Sequence, residues 1–147
     1  YAYHVTEANQ QICEKNHWPS KVSMSHRVLG DLDADAGLHS SASAHYDNAL
    51  KIARSNSTRY VLIESLLSRG RWAAKFMKDA TSAFNDLNEA LGYAVEGGYR
   101  IYEADIHIAL GWAHLESILK CHPIDDESIS KMPQGFPVFS FVLPAGT

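Results

Sequence analysis

The sequence predicts an all-α protein. Apolar residues recur at the spacing of one helical face along most of the chain, and alternation with a period of two is confined to the C-terminal end. Proline is absent between residues 20 and 122, so no helix there is broken from within. Several small residues also return about 40 residues apart, which is typical of stacked helix pairs. We therefore predict six helices, near 5–16, 20–36, 40–55, 58–77, 80–96 and 100–120.

The predicted boundaries follow clusters of turn residues. The segment 37–41 (GLHSS) ends the second helix, 54–58 (RSNST) ends the third, and 96–99 (EGGY) ends the fifth. The sequence leaves open whether 72–80 interrupts the fourth helix or continues it. The helical period is clearest in the fourth and fifth helices, at Tyr60, Ile63, Leu66 and Leu67 and at Ala83, Leu87, Ala90, Leu91 and Ala94.

Small residues mark an internal repeat. Gly30, Gly70 and Gly111 recur about 40 residues apart, and Ala49 and Ala90 keep the same period. Where two antiparallel helices cross closely, only a small residue lets the backbones approach, and a larger residue fills the hollow beside it. We therefore predict that these glycines and alanines lie at helix crossings. Because a helix pair cannot bury its apolar face alone, such pairs stack on one another.

The repeat resembles the tetratricopeptide repeat (TPR). The second unit is looser than the first, with Arg69 before its glycine, and the third keeps Leu110 and Gly111 and then departs from the pattern. A period of about 40 residues is similar to the arrays of STAND-type signalling ATPases. The residues of the first unit that match the family are Leu29, Gly30, Ala42, Tyr46, Ala49 and Leu50.

The resemblance implies antiparallel helix pairs stacked as a right-handed superhelix (an α-solenoid) over residues 1–120, followed by a non-repeat tail over 121–147. In this family the first helix of each pair lines a concave groove that holds a peptide or a partner helix. The groove lacks the asparagines of the clamp that binds chaperone tails, so that specificity is not expected. The groove positions implied here are Met24, Arg27, Asp31, Asp35, Glu64, Leu67, Arg71, Lys75, Asp105, Ile108, Trp112 and Glu116.

We expect a scaffold for protein–protein interaction, which binds a peptide or a partner helix or associates with itself. The alternative is a sensor or regulatory region of a STAND-type signalling ATPase, and a lesser alternative is a metal-binding helical bundle. An enzyme is not expected, and neither is a cofactor. The chain has no phosphate-binding loop, no dinucleotide glycine fingerprint and no Gly-x-Ser-x-Gly elbow.

Composition restricts the expected binding partners and the expected cellular compartment of the protein. The net charge of −4 argues against a nucleic-acid binder, which would show a basic stripe. No apolar run approaches the length of a membrane span. The 2 cysteines are too few for the disulfide framework of a small secreted domain, which favours a cytoplasmic location. Since no initiator methionine or signal peptide opens the sequence, we expect a piece of a longer protein.

The acidic stretch GDLDADAG (30–37) is tested as a calcium loop. An EF-hand loop that began at Asp31 would need a glycine where Ala36 stands and a bidentate glutamate where the sequence has another alanine. We predict instead that Gly37 ends a helix whose aspartates form a solvated surface or part of the groove. Cys13 and His17 are one helical turn apart, but zinc requires three or four ligands, so no metal is expected.

The C-terminal tail follows a helix that is apolar almost all round. Three prolines come after Lys131, and the tail shows no helical period. Its segment 136–143 (FPVFSFVL) is apolar and partly alternating. We expect this segment to pack on the last helices of its own chain, or on those of a second copy in a homodimer.

Overall fold

The computed structural model describes residues 2–56 and 58–121, with the side chain of Cys121 left out. These residues form helices and turns, with no strand among them. The all-α prediction is therefore confirmed, whereas the predicted tail lies outside the described residues. The elements are α1 (Ala2–Lys15), α2 (Pro19–Asp35), α3 (His39–Ser55), α4 (Arg59–Trp72), a π-helix (Ala73–Met77), α5 (Ala80–Gly97) and α6 (Arg100–Cys121).

The helix ends follow the local rules of capping. Pro19 occupies the first turn of α2, where its missing N–H costs no hydrogen bond. Gly37 has a φ of 77° and follows α2, and Gly98 has a φ of 69° and follows α5. Both residues lie in the left-handed region that glycine enters without strain, which confirms the predicted turns. Asp79 caps α5, since its Oδ1 accepts a hydrogen bond from the Ser82 N–H at 3.1 Å.

The segment left open by the sequence continues α4 and then breaks. Residues 73–77 form a π-helix, and the next residue, Lys78, has a φ of 53°. The N–H of Asp79 closes this end by donating to the Ala73 carbonyl at 3.0 Å. The prediction of a single helix over 58–77 therefore holds for the path of the chain. It misses the change in hydrogen-bond pattern, which rotates the side chains after Trp72.

Each helix packs on its neighbours in sequence. Successive helices contact one another from α1 to α6, and in addition α2 contacts α4 and α4 contacts α6. With the π-helix counted as the end of α4, all extensive contacts among the described residues join helices one or two positions apart. The main core lies between α3, α4, α5 and α6, and a smaller cluster of Ala34, Ala42 and Tyr46 lies between α2 and α3.

The repeated glycines behave differently along the chain. A Cβ added to Gly30 would lie 2.8 Å from Cε1 of Tyr46, and a Cβ on Gly70 would lie 2.8 Å from Cγ of Leu87. The prediction of close helix crossings is confirmed at these two positions. A Cβ on Gly111 would meet nothing within 4 Å. The third glycine therefore faces open space on α6.

Two sequence expectations concern exposure. The aspartates of α2 were expected to form a solvated surface or part of the groove, but Asp33 is only 2% exposed, because its side chain turns into the junction of α2 with α3. Asp31 is half-buried and Asp35 is exposed.

The excess of apolar surface on α6 is confirmed, with large exposed side chains at Ile101, Ile108, Trp112, Leu115 and Ile118.

Candidate partner-binding groove

More than half of the predicted groove residues line two adjoining cavities. The first has a volume of about 390 Å³ and lies between the end of α4, the π-helix and α6. The second has a volume of about 350 Å³ and lies between α2, α3 and the end of α4. Both are lined by Arg71 and Lys75, so these two residues stand where the cavities meet. We call the pair of cavities the groove.

The α6 side of the groove combines apolar surface with charge. Trp112 forms one wall, and Ala74 and Ala109 form the floor beside it. Small residues at these two positions leave room for a side chain from another molecule. Glu116 closes the cavity, but its carboxylate is already paired with Lys78.

The α2 side of the groove is polar, and most of its charges are satisfied internally. Nη1 of Arg27 donates to Asp31 at 3.0 Å, and the Tyr46 hydroxyl donates to the same carboxylate at 2.8 Å. Burial raises the pKa of Asp31, and the hydrogen bond from Tyr46 opposes that shift. Burial, followed by the charge of Asp31, raises the pKa of Tyr46 far above its usual value. The phenol therefore remains a donor at neutral pH, and the carboxylate stays engaged.

A second internal network links α4 to α6 and to α2. The Tyr102 hydroxyl donates to Glu64 at 2.7 Å, and this hydrogen bond is the main cause that raises the pKa of Tyr102 to about 12. Nε of Arg27 lies 3.9 Å from the other oxygen of Glu64. Because Arg27 and Glu64 are both largely buried, these groups hold the three helices together more than they face solvent.

Arg71 and Lys75 are the exposed cations of the groove. Neither forms an ion pair with any residue that the structure describes. Nζ of Lys75 lies 4.6 Å from the centre of the Phe76 ring, a cation–π contact that keeps the ammonium at the surface. Beside Arg71 and Lys75 the groove therefore carries positive charge, although the chain as a whole is negative, and the exposed Asp35 contributes a carboxylate to the α2 side.

The remaining predicted groove residues lie elsewhere. Leu67 is 5% exposed and belongs to the main core, so it offers a partner almost no surface. Met24 lines a separate cavity of about 320 Å³ against α1, which also touches Arg27. Asp105 is half-buried and Ile108 is exposed, and the linings of the two groove cavities do not include them.

Several groove residues were not predicted from the sequence. Ser68, Trp72 and Phe76 line the α2 side, and Ala74 lines the α6 side. Trp72 is distinguished by its indole Nε1, which is buried and has no hydrogen-bond acceptor in the part of the chain that the structure describes. The sequence could not place Phe76 or Ala74, because the π-helix shifts both away from the α-helical register.

A larger cavity of about 590 Å³ lies between α3, α4 and α5. Its strongest charges neutralise one another. The Arg69 guanidinium donates to both oxygens of Asp86 at 2.7 Å and to Asp47 at 2.7 Å. The hydrogen bond to Asp86 is the main cause that raises the pKa of Arg69. This cavity is therefore lined by a structural ion-pair network, and its lining includes no cation without an ion pair comparable to Arg71.

Neither a cluster of metal ligands nor a membrane-spanning helix is found among the described residues. Within residues 2–56 and 58–121, no three or more His, Cys, Asp or Glu side chains come together as metal ligands. No helix in the same part of the chain combines the length and apolarity that a membrane span requires. Comparison with protein families, with curated proteins and with solved structures found no match.

Proposed function

We propose that this protein is a TPR-like interaction module that binds an acidic segment of a partner protein in the groove. In this proposal α2 pairs with α3 and α4 with α5, and the pairs stack as a right-handed superhelix. The packing of α2 on α4 and of α4 on α6 supports that arrangement, because a solenoid brings the first helices of successive pairs into contact. The function is recognition without turnover.

The observation that carries the proposal is the position of Arg71 and Lys75. They lie where the two cavities meet, and they have no ion-pair partner among the described residues, whereas the neighbouring Arg27 is held by Asp31 and Glu64. Two unpaired cations at the centre of a groove select a negatively charged ligand. A carboxylate can reach the Arg71 guanidinium in the bidentate geometry that arginine favours.

The apolar wall defines a second feature of the partner. Trp112 is 51% exposed and stands beside the small residues Ala74 and Ala109. A cavity of about 390 Å³ accommodates one large apolar side chain. Burying such a side chain contributes about 1.5–3 kcal/mol. The preferred ligand is therefore a peptide or helix that presents a large apolar residue next to one or two carboxylates.

The proposal is tested with a displayed library of short peptides in which acidic and aromatic positions are enriched. Binders selected on the wild-type protein are measured by fluorescence anisotropy. Arg71→Glu should weaken them by about 1–3 kcal/mol, the range for losing a charge-assisted contact, and should leave helicity unchanged. Trp112→Ala should weaken the peptides that carry an apolar residue more than those that lack one.

Matched variants control for charge and for loss of an exposed indole. Lys51→Glu makes a comparable charge change on the exposed side of α3, outside both groove cavities. Trp18→Ala removes a tryptophan that is 54% exposed at the start of α2. Both controls should bind as the wild type does. If Lys51→Glu lowers affinity as much as Arg71→Glu, the groove is not the binding site and the effect is one of net charge.

A further inference from the structure

A second polar feature lies away from the groove, where α1, α2 and α3 meet. Nε2 of Gln10 on α1 lies 3.2 Å from Nε2 of His26 on α2. Nδ1 of His26 lies 3.0 Å from Nδ1 of His45 on α3. Nε2 of His45 lies 3.7 Å from Oδ2 of Asp33, back on α2. These four side chains form a continuous chain, the histidine chain, which crosses all three helices.

The geometry of the two rings indicates a shared hydrogen bond. The ring centres are 5.3 Å apart and the facing nitrogens are 3.0 Å apart. These two distances together place both nitrogens close to the line that joins the ring centres, so their lone pairs point at each other. A chelated metal would need the two lone pairs to converge on a point to one side. One nitrogen must therefore donate a proton to the other.

Neighbouring groups determine which nitrogen carries that proton. Nε2 of Gln10 also donates to the Glu14 carboxylate at 2.9 Å, and a carboxylate can only accept. The amide nitrogen of Gln10 therefore faces His26, whose Nε2 must accept. His26 then carries its proton on Nδ1 and donates it to His45. His45 in turn carries its proton on Nε2, which faces Asp33.

The far end of the chain explains why this order is favoured. Asp33 is 2% exposed, and its Oδ2 has no hydrogen-bond partner in the part of the chain that the structure describes. Nε2 of His45 lies 3.7 Å from this oxygen, which is beyond hydrogen-bond distance. Such a buried carboxylate oxygen is costly without a donor nearby. His26 therefore has one neutral tautomer that satisfies both of its neighbours, and the same order places the N–H of His45 on Nε2, the atom that lies beside Asp33.

Protonation of His26 breaks the link to α1. A proton on His26 would occupy Nε2 and meet the N–H of Gln10, whereas a proton on His45 would occupy Nδ1, meet the N–H of His26 and place a positive charge beside the Asp33 carboxylate, which attracts it. Burial, followed by the charge of His45, lowers the pKa of His26, while Glu14 on α1 opposes this. Among the described residues, the charged and titratable groups around the histidine chain include Glu14 and Tyr3 from α1, Asp33 from α2 and the two histidines themselves; Tyr3 belongs to this set because it interacts with the charge of Asp33.

We propose that the histidine chain is a pH-sensitive tether, which holds α1 on the α2–α3 pair while His26 is neutral and releases it when His26 is protonated. A histidine whose folded pKa is lowered stabilises the fold fully above its unfolded pKa of about 6.5. That stabilisation is lost as the pH falls below this value toward the lowered pKa. Release on acidification is therefore the expected direction.

Cys13 provides the reporter, because it is buried on α1 at the contact with α2. The full chain is prepared with Cys121→Ser, so that Cys13 is the only thiol. Maleimide labelling is measured at pH 7.5 and pH 5.5 and divided at each pH by the rate for a free cysteine peptide, since thiolate formation itself depends on pH. The normalised rate should rise at least tenfold at the lower pH.

Three variants separate the tether from general acid sensitivity. His26→Gln removes the ring that contacts α1 and should reduce the rise to less than twofold, and so should the double variant His26→Gln/His45→Gln. His107→Gln, on the exposed side of α6, should keep the wild-type response. A wild-type rate that is the same at both pH values overturns the proposal, whatever the variants do. So does protection of Cys13 that chelator removes at pH 7.5, which would indicate a metal.

Discussion

Replacement of Gly30 by alanine tests the helix crossing on which the repeat assignment depends. The added Cβ would lie 2.8 Å from Cε1 and 2.9 Å from Cδ1 of Tyr46. A real Cβ does not come this close, so the ring or the helix must move. The ring has little freedom, because Tyr46 is 1% exposed and its hydroxyl donates a hydrogen bond to Asp31. Its ring also packs against that of Trp72, with the two ring centres 5.6 Å apart. Gly30→Ala should therefore strain the junction of α2 with α3.

The expected magnitude is the sum of two opposing effects. Overpacking of this kind costs about 1–3 kcal/mol. Replacing a glycine by alanine inside a helix contributes about 1 kcal/mol in the other direction, since alanine loses less backbone entropy. Gly30→Ala should therefore be neutral to destabilising, by about 0–2 kcal/mol, the difference of those two ranges. In the matched variant Gly111→Ala, the added Cβ meets nothing within 4 Å, so this variant should be more stable than the wild type by about 1 kcal/mol.

The comparison is made by urea unfolding monitored by circular dichroism, with the Tm as a second measure. The gap between the two variants isolates packing, because the propensity gain is common to both. We expect a gap of about 1–3 kcal/mol, and each kcal/mol corresponds to about 2–4 °C in Tm for a chain of this size. If Gly30→Ala and Gly111→Ala change the free energy of unfolding equally, the close crossing at Gly30 is refuted.

Two further predictions concern other parts of the fold. Ala49 and Ala90 are both fully buried at corresponding positions of the repeat, so Ala49→Leu and Ala90→Leu should each lower the free energy of unfolding by about 1–3 kcal/mol; an unchanged Tm for both would mean that the repeat phase is wrong. Deletion of residues 121–147 should lower the Tm or cause aggregation, because α6 exposes several large apolar side chains that the tail is proposed to cover. A truncated protein with unchanged Tm and unchanged mass by light scattering would leave the tail without that role.

The sequence by itself determined the helices and the positions of two crossings. Helical period, the absence of proline and the turn residues depend on neighbours a few positions away, so they can be read along the chain. Gly37 ends α2 as predicted, because only the local backbone decides that conformation. The regular recurrence of glycine also led correctly to the contacts of Gly30 and Gly70, although the same pattern predicted a close crossing at Gly111 that the structure does not show.

The tertiary structure alone decided which polar groups are buried and which are available to a partner. Asp31, Asp33 and Asp35 look alike in sequence, yet the first pairs with Arg27, the second lies beside His45 and the third is exposed. These differences depend on the rotation of α2 relative to α1, α3 and α4, and on residues distant in the chain. A one-dimensional pattern does not specify that rotation, because many side-chain arrangements share the same helical period. The rotation of α2 relative to its neighbours therefore determines both the groove and the histidine chain.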